Sequence, residues 1–494
     1  MKILKQSGTV IWLILLYLIP VLIVTGLRFK ASQIDNKTLD PLFTARFYLT
    51  AVIADIGFGY YLSRLFFRFF KPAVWICSFV FWFIAFACLI SFVLTHNLPN
   101  ESIFITVFDT TWLHTLDFLQ TIPFPVYAGT VLYWGIWLFL GIMTKTPETQ
   151  KGDRVFYAGL FIVFSVFCFI SQWEGSFFNN AVKARTVYSD LKKEIAALLQ
   201  NEKQPAFYLE SPEIPRTVIV VVGESANRRV FYDNLSDFKE KTAFLKNAPL
   251  LFENATTQSV STAFVLKKIL LPDDISLISV YRQAGFKTFW FSNHFKSGKH
   301  DNLIYALTRG IDDRRYFNYT KAAESYEYTS QRFDDVLLPP LKQALTDPSP
   351  KKLIFLHLFG SHFPYNHRYP DAREELITEQ YAASVRYTNT VLAEILKQAE
   401  KSGQNVALLY FSDHGTIPEN PFQRPAAGND MLNIPLFFWF SDQYRQRFPA
   451  NTAKLPVCDL RPDTSKIAFL INYLSGIRIT DLPVSNDIKQ CFSR

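Results

Sequence analysis

Residues 406–415 read VALLYFSDHG: an apolar run of mostly strand-favouring side chains that stops abruptly at Ser412, Asp413, His414 and Gly415. Such a run, closed by a turn, reads as a strand buried on both faces with its polar groups delivered at the C-terminal end. In open α/β sheets, ligands bind just beyond the carboxyl ends of strands. Asp413 and His414 set a carboxylate beside an imidazole, a pair that can hold a borderline metal such as zinc. The same pair also reads as a turn and a helix cap, so the rest of the chain has to decide.

Three other short runs have the same form. Residues 217–222 deliver Gly223, Glu224 and Ser225, then Asn227 and Arg228; residues 288–292 deliver Asn293 and His294; residues 353–359 deliver Gly360, Ser361 and His362. Helical patterns such as 379–397 lie between them. This alternation predicts an α/β domain over 216–494, with a mostly parallel central sheet flanked by helices. Four strand ends at corresponding positions would converge on one crevice. Glu224, Asp413 and His414 then offer two carboxylates and one imidazole. That set suits zinc, admits manganese and leaves a coordination position for a nucleophile.

The nucleophile is expected to be a hydroxyl. Ser and Thr residues crowd into 256–262, just before a helical stretch at 262–270. They read either as ordinary helix caps or as a hydroxyl held at a helix N-terminus beside the metal. In the second case dipole and cation both favour an alkoxide and, later, a bound phosphate. From the residues alone Thr256, Thr257, Ser261 and Thr262 all stay open.

The first third of the chain is far more apolar than the rest. In 494 residues there are 48 Phe, and aromatics make up 16%, which is high for a water-soluble chain. Five stretches are long enough to cross a bilayer, at roughly 9–28, 44–66, 73–95, 124–143 and 155–171. The first follows Lys2 and Lys5 without a small-residue cleavage site, so it reads as an uncleaved helix. Arg64, Arg68 and Lys71 lie between spans two and three, and Lys145, Lys151 and Arg154 between spans four and five. The loop 95–123 has no Lys or Arg. The bias predicts a cytoplasmic N-terminus and an extracytoplasmic remainder, with the mixed loop 30–46 arguing weakly the other way. Phe108, Trp112, Leu116 and Leu119 recur at helical spacing, predicting an amphipathic helix over about 101–119 at the outer membrane–water boundary. A second helix is expected within 172–204, and Pro205, Pro212 and Pro215 place the domain boundary near 205–215. The layout is thus a membrane domain at 1–171, a bridge at 172–215 and a soluble domain at 216–494.

The net charge of +8 comes with no nucleic-acid motif and no compact basic domain, and fits an anionic membrane surface better. Of five cysteines, Cys77, Cys88 and Cys168 lie in apolar runs. Cys458 and Cys491 lie in the polar C-terminal part, where an extracytoplasmic location would permit a disulfide that spacing alone does not establish.

Taken in order, GESANR (223–228), STAFVLKKIL (261–270), FWFSN (289–293), GSHFPYNHRYP (360–370) and FSDHG (411–415) resemble the membrane phosphoethanolamine transferases of Gram-negative envelopes, within the alkaline-phosphatase/sulfatase superfamily. That family's layout is also five membrane helices followed by a periplasmic hydrolase-like domain. The resemblance implies a bacterial inner-membrane enzyme. It would move phosphoethanolamine from phosphatidylethanolamine to lipopolysaccharide, on lipid A or a core heptose, through a covalent phosphothreonine-type intermediate. It implies zinc held by Glu224, Asp413 and His414, with Thr262 as nucleophile and metal ligand, ten residues after Phe252 of an FxN pattern. His362 matches a His that contacts the phosphate or a second zinc. Asn293 and His294 fall where relatives approach the phosphoethanolamine. The LKKIL segment, 266–270, resembles members that modify the lipopolysaccharide core.

Two departures stand out. Relatives carry another His soon after the DHG motif, and this chain has none after His414. The resemblance therefore implies one catalytic zinc and leaves a second without its usual ligand; Asn429 and Asp430 lie in about that region. Relatives also hold the head group with an Asn and two Glu on the outer-face loop, where this chain has Thr111, His114 and Asp117. Other readings keep the site and change the chemistry to a glycerophosphate transferase or a phosphodiesterase. Another reading is a degenerate lipid- or partner-binding protein. A sulfatase proper would need a CxPxR-type motif, which is missing.

Overall fold

Residues 217–222 are all β-branched, which stiffens the side chain and favours an extended backbone. In the computed structural model they form the strand Arg216–Gly223, buried along its whole length. The structure describes residues 72–95, 98–109, 122–143, 177–200, 205–294, 303–317, 332–370, 375–419, 430–449 and 463–480, with scattered positions in 11–30 and single residues at 119, 372, 452 and 482.

The strands in chain order are β1 (Phe207–Leu209), β2 (Arg216–Gly223), β3 (Leu250–Leu251), β4 (Lys287–Ser292), β5 (Asp313–Tyr316), β6 (Lys351–His357), β7 (Val406–Ser412), β8 (Leu436–Phe440) and β9 (Ile477–Ile479). Seven of them make one sheet in the order β3-β8-β7-β2-β6-β4-β5. The pairs β7–β2, β2–β6, β6–β4 and β4–β5 are parallel, while β8 is antiparallel to β7 and β3 to β8. This is the expected mostly parallel α/β sheet. Val222 lies opposite both His357 and Phe411, and Ser292 opposite His357. The register therefore brings the C-terminal ends of β2, β4, β6 and β7 to one edge.

Helices supply the second layer, among them Thr262–Leu270, Ile377–Lys401 and Ile467–Ser475. The long helix Ile377–Lys401 presents Tyr381, Val385, Leu392, Ile395 and Leu396 to a core shared with Ile219, Ile354 and Leu408. These positions recur every three or four residues, so one stripe meets the sheet. One boundary differs from expectation. β6 ends at His357 rather than running to 359, because the N–H groups of Phe359 and Gly360 turn to the Asp334 carboxylate.

The chain divides into two compact units, one built on Met1–Tyr188 and the other on Ser189–Pro421 and Pro425–Arg494. In the first, the helices Pro72–Thr95 and Phe124–Met143 coincide in extent with the apolar stretches at 73–95 and 124–143. Among the described residues Phe124–Met143 is the helix long and apolar enough to cross a membrane, with a shorter apolar stretch at Ser78–Leu94. The two helices meet where Gly141 leaves no room for a side chain: a Cβ there would lie 2.5 Å from the Trp75 ring. Inside the apolar cluster, Trp82 Nε1 donates to the Leu16 carbonyl at 2.7 Å and the Tyr133 hydroxyl to the Trp82 carbonyl at 2.7 Å. Their polar atoms are thus satisfied away from water. The expected spans at 44–66 and 155–171, most of the turn that would carry Thr111, His114 and Asp117, and both Cys458 and Cys491 lie outside the described residues. The helix expected over 101–119 is seen as Glu101–Asp109, capped by Asn100 Oδ1, which accepts from Ile103 N at 3.0 Å.

Leu408 sits on β7 with no exposed surface, packed in the sheet–helix core. Leu408→Ala is expected to lower unfolding stability by about 2–5 kcal/mol. Denaturant titration of the detergent-solubilised chain checks this, and an unchanged midpoint would contradict the packing described.

Candidate metal centre

The turn after β2 is built for close approach. A Cβ at Gly223 would come within 2.8 Å of the Tyr410 hydroxyl on β7, so this position tolerates glycine alone without displacement. Ser225 then adopts φ 58°, a left-handed conformation costly for a non-glycine residue. Its surroundings hold it there. Ser225 N donates to Asp413 Oδ1 at 3.1 Å and Ala226 N to Ser412 Oγ at 2.9 Å. The Tyr381 hydroxyl accepts from Asn227 N at 2.7 Å and donates to the Ser225 carbonyl at 2.8 Å. Asn227 Oδ1 accepts from Arg229 N at 2.8 Å and caps the short helix that follows.

This turn aims Glu224 inward at 2% exposure, towards Asp413 at 0% and His414 at 6%. Asp413 N extends the β7–β2 ladder by donating to the Gly223 carbonyl at 3.0 Å, which fixes where the carboxylate emerges. His414 Nδ1 lies 2.7 Å from the Gly415 carbonyl, so Nδ1 carries the hydrogen and Nε2 faces the carboxylates. Nε2 is 3.2 Å from Glu224 Oε1 and 3.6 Å from Asp413 Oδ2. A neutral imidazole would turn a lone pair towards negative oxygens, so this spot calls for positive charge. Burial pulls the His414 imidazole down, but the carboxylates of Asp413 and Glu224 outweigh it and push it up to about 9. Burial and the nearby Glu224 carboxylate push Asp413 up to about 7, while Glu224, opposed by burial, is held well below the usual range by His414. The two carboxylates share too little positive charge between them.

Thr262 completes the group. It is the first residue of the helix Thr262–Leu270, and its Oγ1 lies 2.6 Å from Asp413 Oδ2 and 3.0 Å from Glu224 Oε2. One hydroxyl hydrogen satisfies one carboxylate; the second contact calls for another proton or a cation. Two carboxylates, an imidazole nitrogen and a hydroxyl within reach of one point make a donor set that fits zinc. The Nδ1–H···O=C bond behind His414 is the support that metal-bound histidines usually have.

A second group, Glu224 with His294 and His357, also has ligand atoms within 4.8 Å of one another. The rings of His294 and His357 are stacked at 4.0 Å and 7°. The nitrogen lone pairs lie in the ring planes, so two parallel, offset imidazoles cannot point at one ion. His357 is a core histidine, buried between Trp290 and His294 and pushed down to about 4 by burial. His294 Nε2 donates to the Leu358 carbonyl at 2.7 Å.

Of the other expected site residues, His362 and Asn293 are described. His362 stacks on Phe359, with Nδ1 2.6 Å from the Phe363 carbonyl, and is outside both metal-compatible groups among the described residues. Arg368 holds it from behind: its Nε donates to the His362 carbonyl at 2.8 Å and its guanidinium lies 3.8 Å over the Phe359 ring. Asn293 Nδ2 donates to Asp334 Oδ1 at 2.8 Å and to the Arg332 carbonyl at 2.9 Å. Asp430 is exposed, and its carbonyl accepts from Asn227 Nδ2 at 3.1 Å; Asn429 lies outside the described residues. Asp334 and Tyr381 were not singled out from the sequence. Each lies far along the chain from the loop it holds, and neither belongs to a motif.

An α/β sheet with an acidic, hydroxyl-bearing crevice at its C-terminal edge is the architecture of the alkaline-phosphatase/sulfatase class. The sulfatase family pattern matches residues 216–464, and the chain belongs to that family. It is similar to the phosphoethanolamine transferase EptC of Escherichia coli, 29% identical over 279 residues, covering 49% of this chain and 48% of EptC. It is also similar to the phosphoethanolamine transferase OpgE of the same organism, 26% identical over 439 residues, covering 79% of this chain and 80% of OpgE. The chain thus spans about half the length of such curated relatives as EptC. In fold it is similar to the integral membrane lipooligosaccharide phosphoethanolamine transferase A (EptA) of Neisseria meningitidis, with TM-score 0.66, 16% identity and 97% of each chain covered.

Zinc titration separates the two groups. Glu224→Gln, Asp413→Asn and His414→Ala are each expected to weaken zinc binding by more than the roughly 10–100-fold that residues behind the ligands command. His294→Ala is expected to cost less affinity than any of these three, because it neither ligates nor orients a ligand in this group. Equal losses in all four variants would overturn the assignment.

Proposed function

We propose that this chain is a zinc-dependent phosphoethanolamine transferase. Its donor is phosphatidylethanolamine and its acceptor is lipopolysaccharide, on a core heptose or lipid A. The observation that carries the reading is the Thr262 hydroxyl, set at a helix N-terminus 2.6 Å from Asp413 and 3.0 Å from Glu224. The similarity to EptC and OpgE supports the group transferred. The core-type acceptor rests on segment 266–270.

Zinc held by Glu224, Asp413, His414 and Thr262 would supply a lowered hydroxyl pKa and a positive charge next to the phosphoryl oxygens. The chain does the rest. Asp413 Oδ2, 2.6 Å from Thr262 Oγ1, is placed to take the hydroxyl hydrogen as that oxygen meets the phosphorus. Ser261 makes no side-chain cap, so the first-turn N–H groups of the helix remain for the phosphate oxygens. The Thr262 oxygen bonds to phosphorus as the bond to diacylglycerol breaks, and the diacylglycerol oxygen takes up a proton. A hydroxyl or phosphate oxygen of the acceptor then bonds to the same phosphorus and Thr262 leaves with its hydrogen restored. His362, steadied by Arg368 and Phe359, is the proton donor or phosphate contact. In this reading Asn293 and His294 serve the phosphoethanolamine, and Thr111, His114 and Asp117, outside the described residues, are the candidates for its head group.

Donor and leaving group are both lipids, which gives a physical reason for an apolar first unit. The reading therefore includes a multi-pass inner-membrane domain at 1–171 with five spans and a cytoplasmic N-terminus, a bridge at 172–215, and a periplasmic catalytic domain at 216–494.

The test uses the full chain with head-group-labelled phosphatidylethanolamine and lipopolysaccharide. Wild type is expected to label the acceptor and to show phosphoethanolamine on the peptide containing Thr262. Thr262→Ala is expected to lose the adduct and up to about six orders of magnitude of transfer, as nucleophile removal does elsewhere. Transfer by Thr262→Ala at the wild-type rate would refute the nucleophile.

A further inference from the structure

Asp334 is the one buried carboxylate near the centre, among the described residues, that faces neither Thr262 nor His414. It opens the short helix Asp334–Leu337 and is 3% exposed. Oδ1 accepts from Phe359 N at 2.7 Å and from Asn293 Nδ2 at 2.8 Å; Oδ2 accepts from Gly360 N at 2.9 Å. The ends of β4 and β6 thus close on a single side chain from a third part of the chain. Three donors converge, and a carboxylate can accept from all of them. An amide of the same shape would set an N–H₂ against at least one N–H.

What lies next along that loop gives the contact its reach. Leu358 N still donates into the sheet, to the Val222 carbonyl at 2.9 Å. Beyond it the backbone is steered by Asp334 and meets Glu224. Gly360 has φ 52°, and a Cβ there would lie 2.6 Å from the Glu224 carbonyl oxygen and 2.9 Å from its nitrogen. Ser361 N donates to the same carbonyl at 2.9 Å. Glu224 is therefore held on one side by the Asp413 ladder and on the other by a loop that Asp334 holds.

We propose that Asp334 is a positioning residue for the metal centre, acting through Phe359, Gly360 and Ser361 on the backbone of Glu224. The inference rests on the zinc reading above. A side chain that merely stabilised the fold would change unfolding without changing the affinity of the folded protein for metal.

The experiment measures zinc affinity of the full-length chain by chelator competition, the visible spectrum of the cobalt-substituted protein, and thermal unfolding of the metal-free protein. Asp334→Asn is expected to weaken zinc binding about tenfold, the lower end of the range for groups that orient ligands, and to alter the cobalt spectrum. Asp335→Asn, its exposed neighbour, is expected to match wild type in both. Wild-type affinity and spectrum in Asp334→Asn would overturn the proposal, whatever the melting temperature. If Asp334→Asn does not fold, Gly360→Ala decides: weakened zinc binding upholds the link to Glu224, and unchanged binding overturns it. Absence of zinc binding by wild type would overturn the metal reading and this inference with it. Wild-type binding with an unaffected Asp334→Asn overturns this inference alone.

Discussion

Two carboxylates buried side by side, Glu224 and Asp413, are the constraint on which the rest of this domain depends. Each loses its hydration on folding, and together they repel. The protein accommodates them through position. His414 turns Nε2 towards both, Thr262 lies between them, and Ser225 donates backbone and hydroxyl hydrogens to the pair. These contacts lower the cost without removing the demand for a cation. A divalent ion at that point would turn a costly arrangement into a favourable one, and its binding would then be coupled to domain stability.

Holding the two carboxylates at that spacing makes demands on the scaffold. The β2–β7 register places Gly223 beside Ser412, so that one residue further on both acidic side chains emerge at the same edge. Gly223 and Gly360 are needed because Tyr410 and the Glu224 backbone occupy the space a Cβ would fill. Tyr381, on the long helix behind the sheet, holds the turn after β2 by both its hydrogen-bonding roles. Lys267, in the last turn of the helix that carries Thr262, pairs with Glu194 at 2.5 Å; the pair is half-exposed and contributes little to stability. The site is thus fixed by strands and backbone contacts rather than by flexible loops, as a centre with demanding geometry requires.

The first unit follows a different logic. Its apolar residues face outward as well as inward: Phe124, Val131, Leu132 and Ile142 are all largely exposed on Phe124–Met143. In water this would be a liability; in a bilayer it is the ordinary state of a spanning helix. Inside the unit, polar tips of Trp82 and Tyr133 bond to carbonyls, and a glycine admits the Trp75 ring. Tight packing and internal hydrogen bonds take over there from the hydrophobic drive that organises the sheet domain.

Much of the sheet domain was legible one residue at a time. Strand periods, the hydroxyl-rich approach to 262–270 and the abrupt polar ends after 222 and 412 are local patterns. Local patterns follow from backbone stiffness and from burial on both faces. They sufficed to nominate Glu224, Asp413 and His414 and a hydroxyl within 256–262, among which the family resemblance singles out Thr262. What the chain order does not reveal is which distant groups close on which loop. Asp334 ends β6 two residues early, His294 stacks on His357 and so cannot share an ion with it, and Tyr381 holds a turn 154 residues away. Those outcomes depend on strand order and register, which bring remote donors and acceptors within 3 Å of one another. The sequence by itself thus determined the kind of fold and the donor atoms for a metal. Only the tertiary structure decided how those donors converge and what holds them, because convergence is a property of the assembled sheet edge.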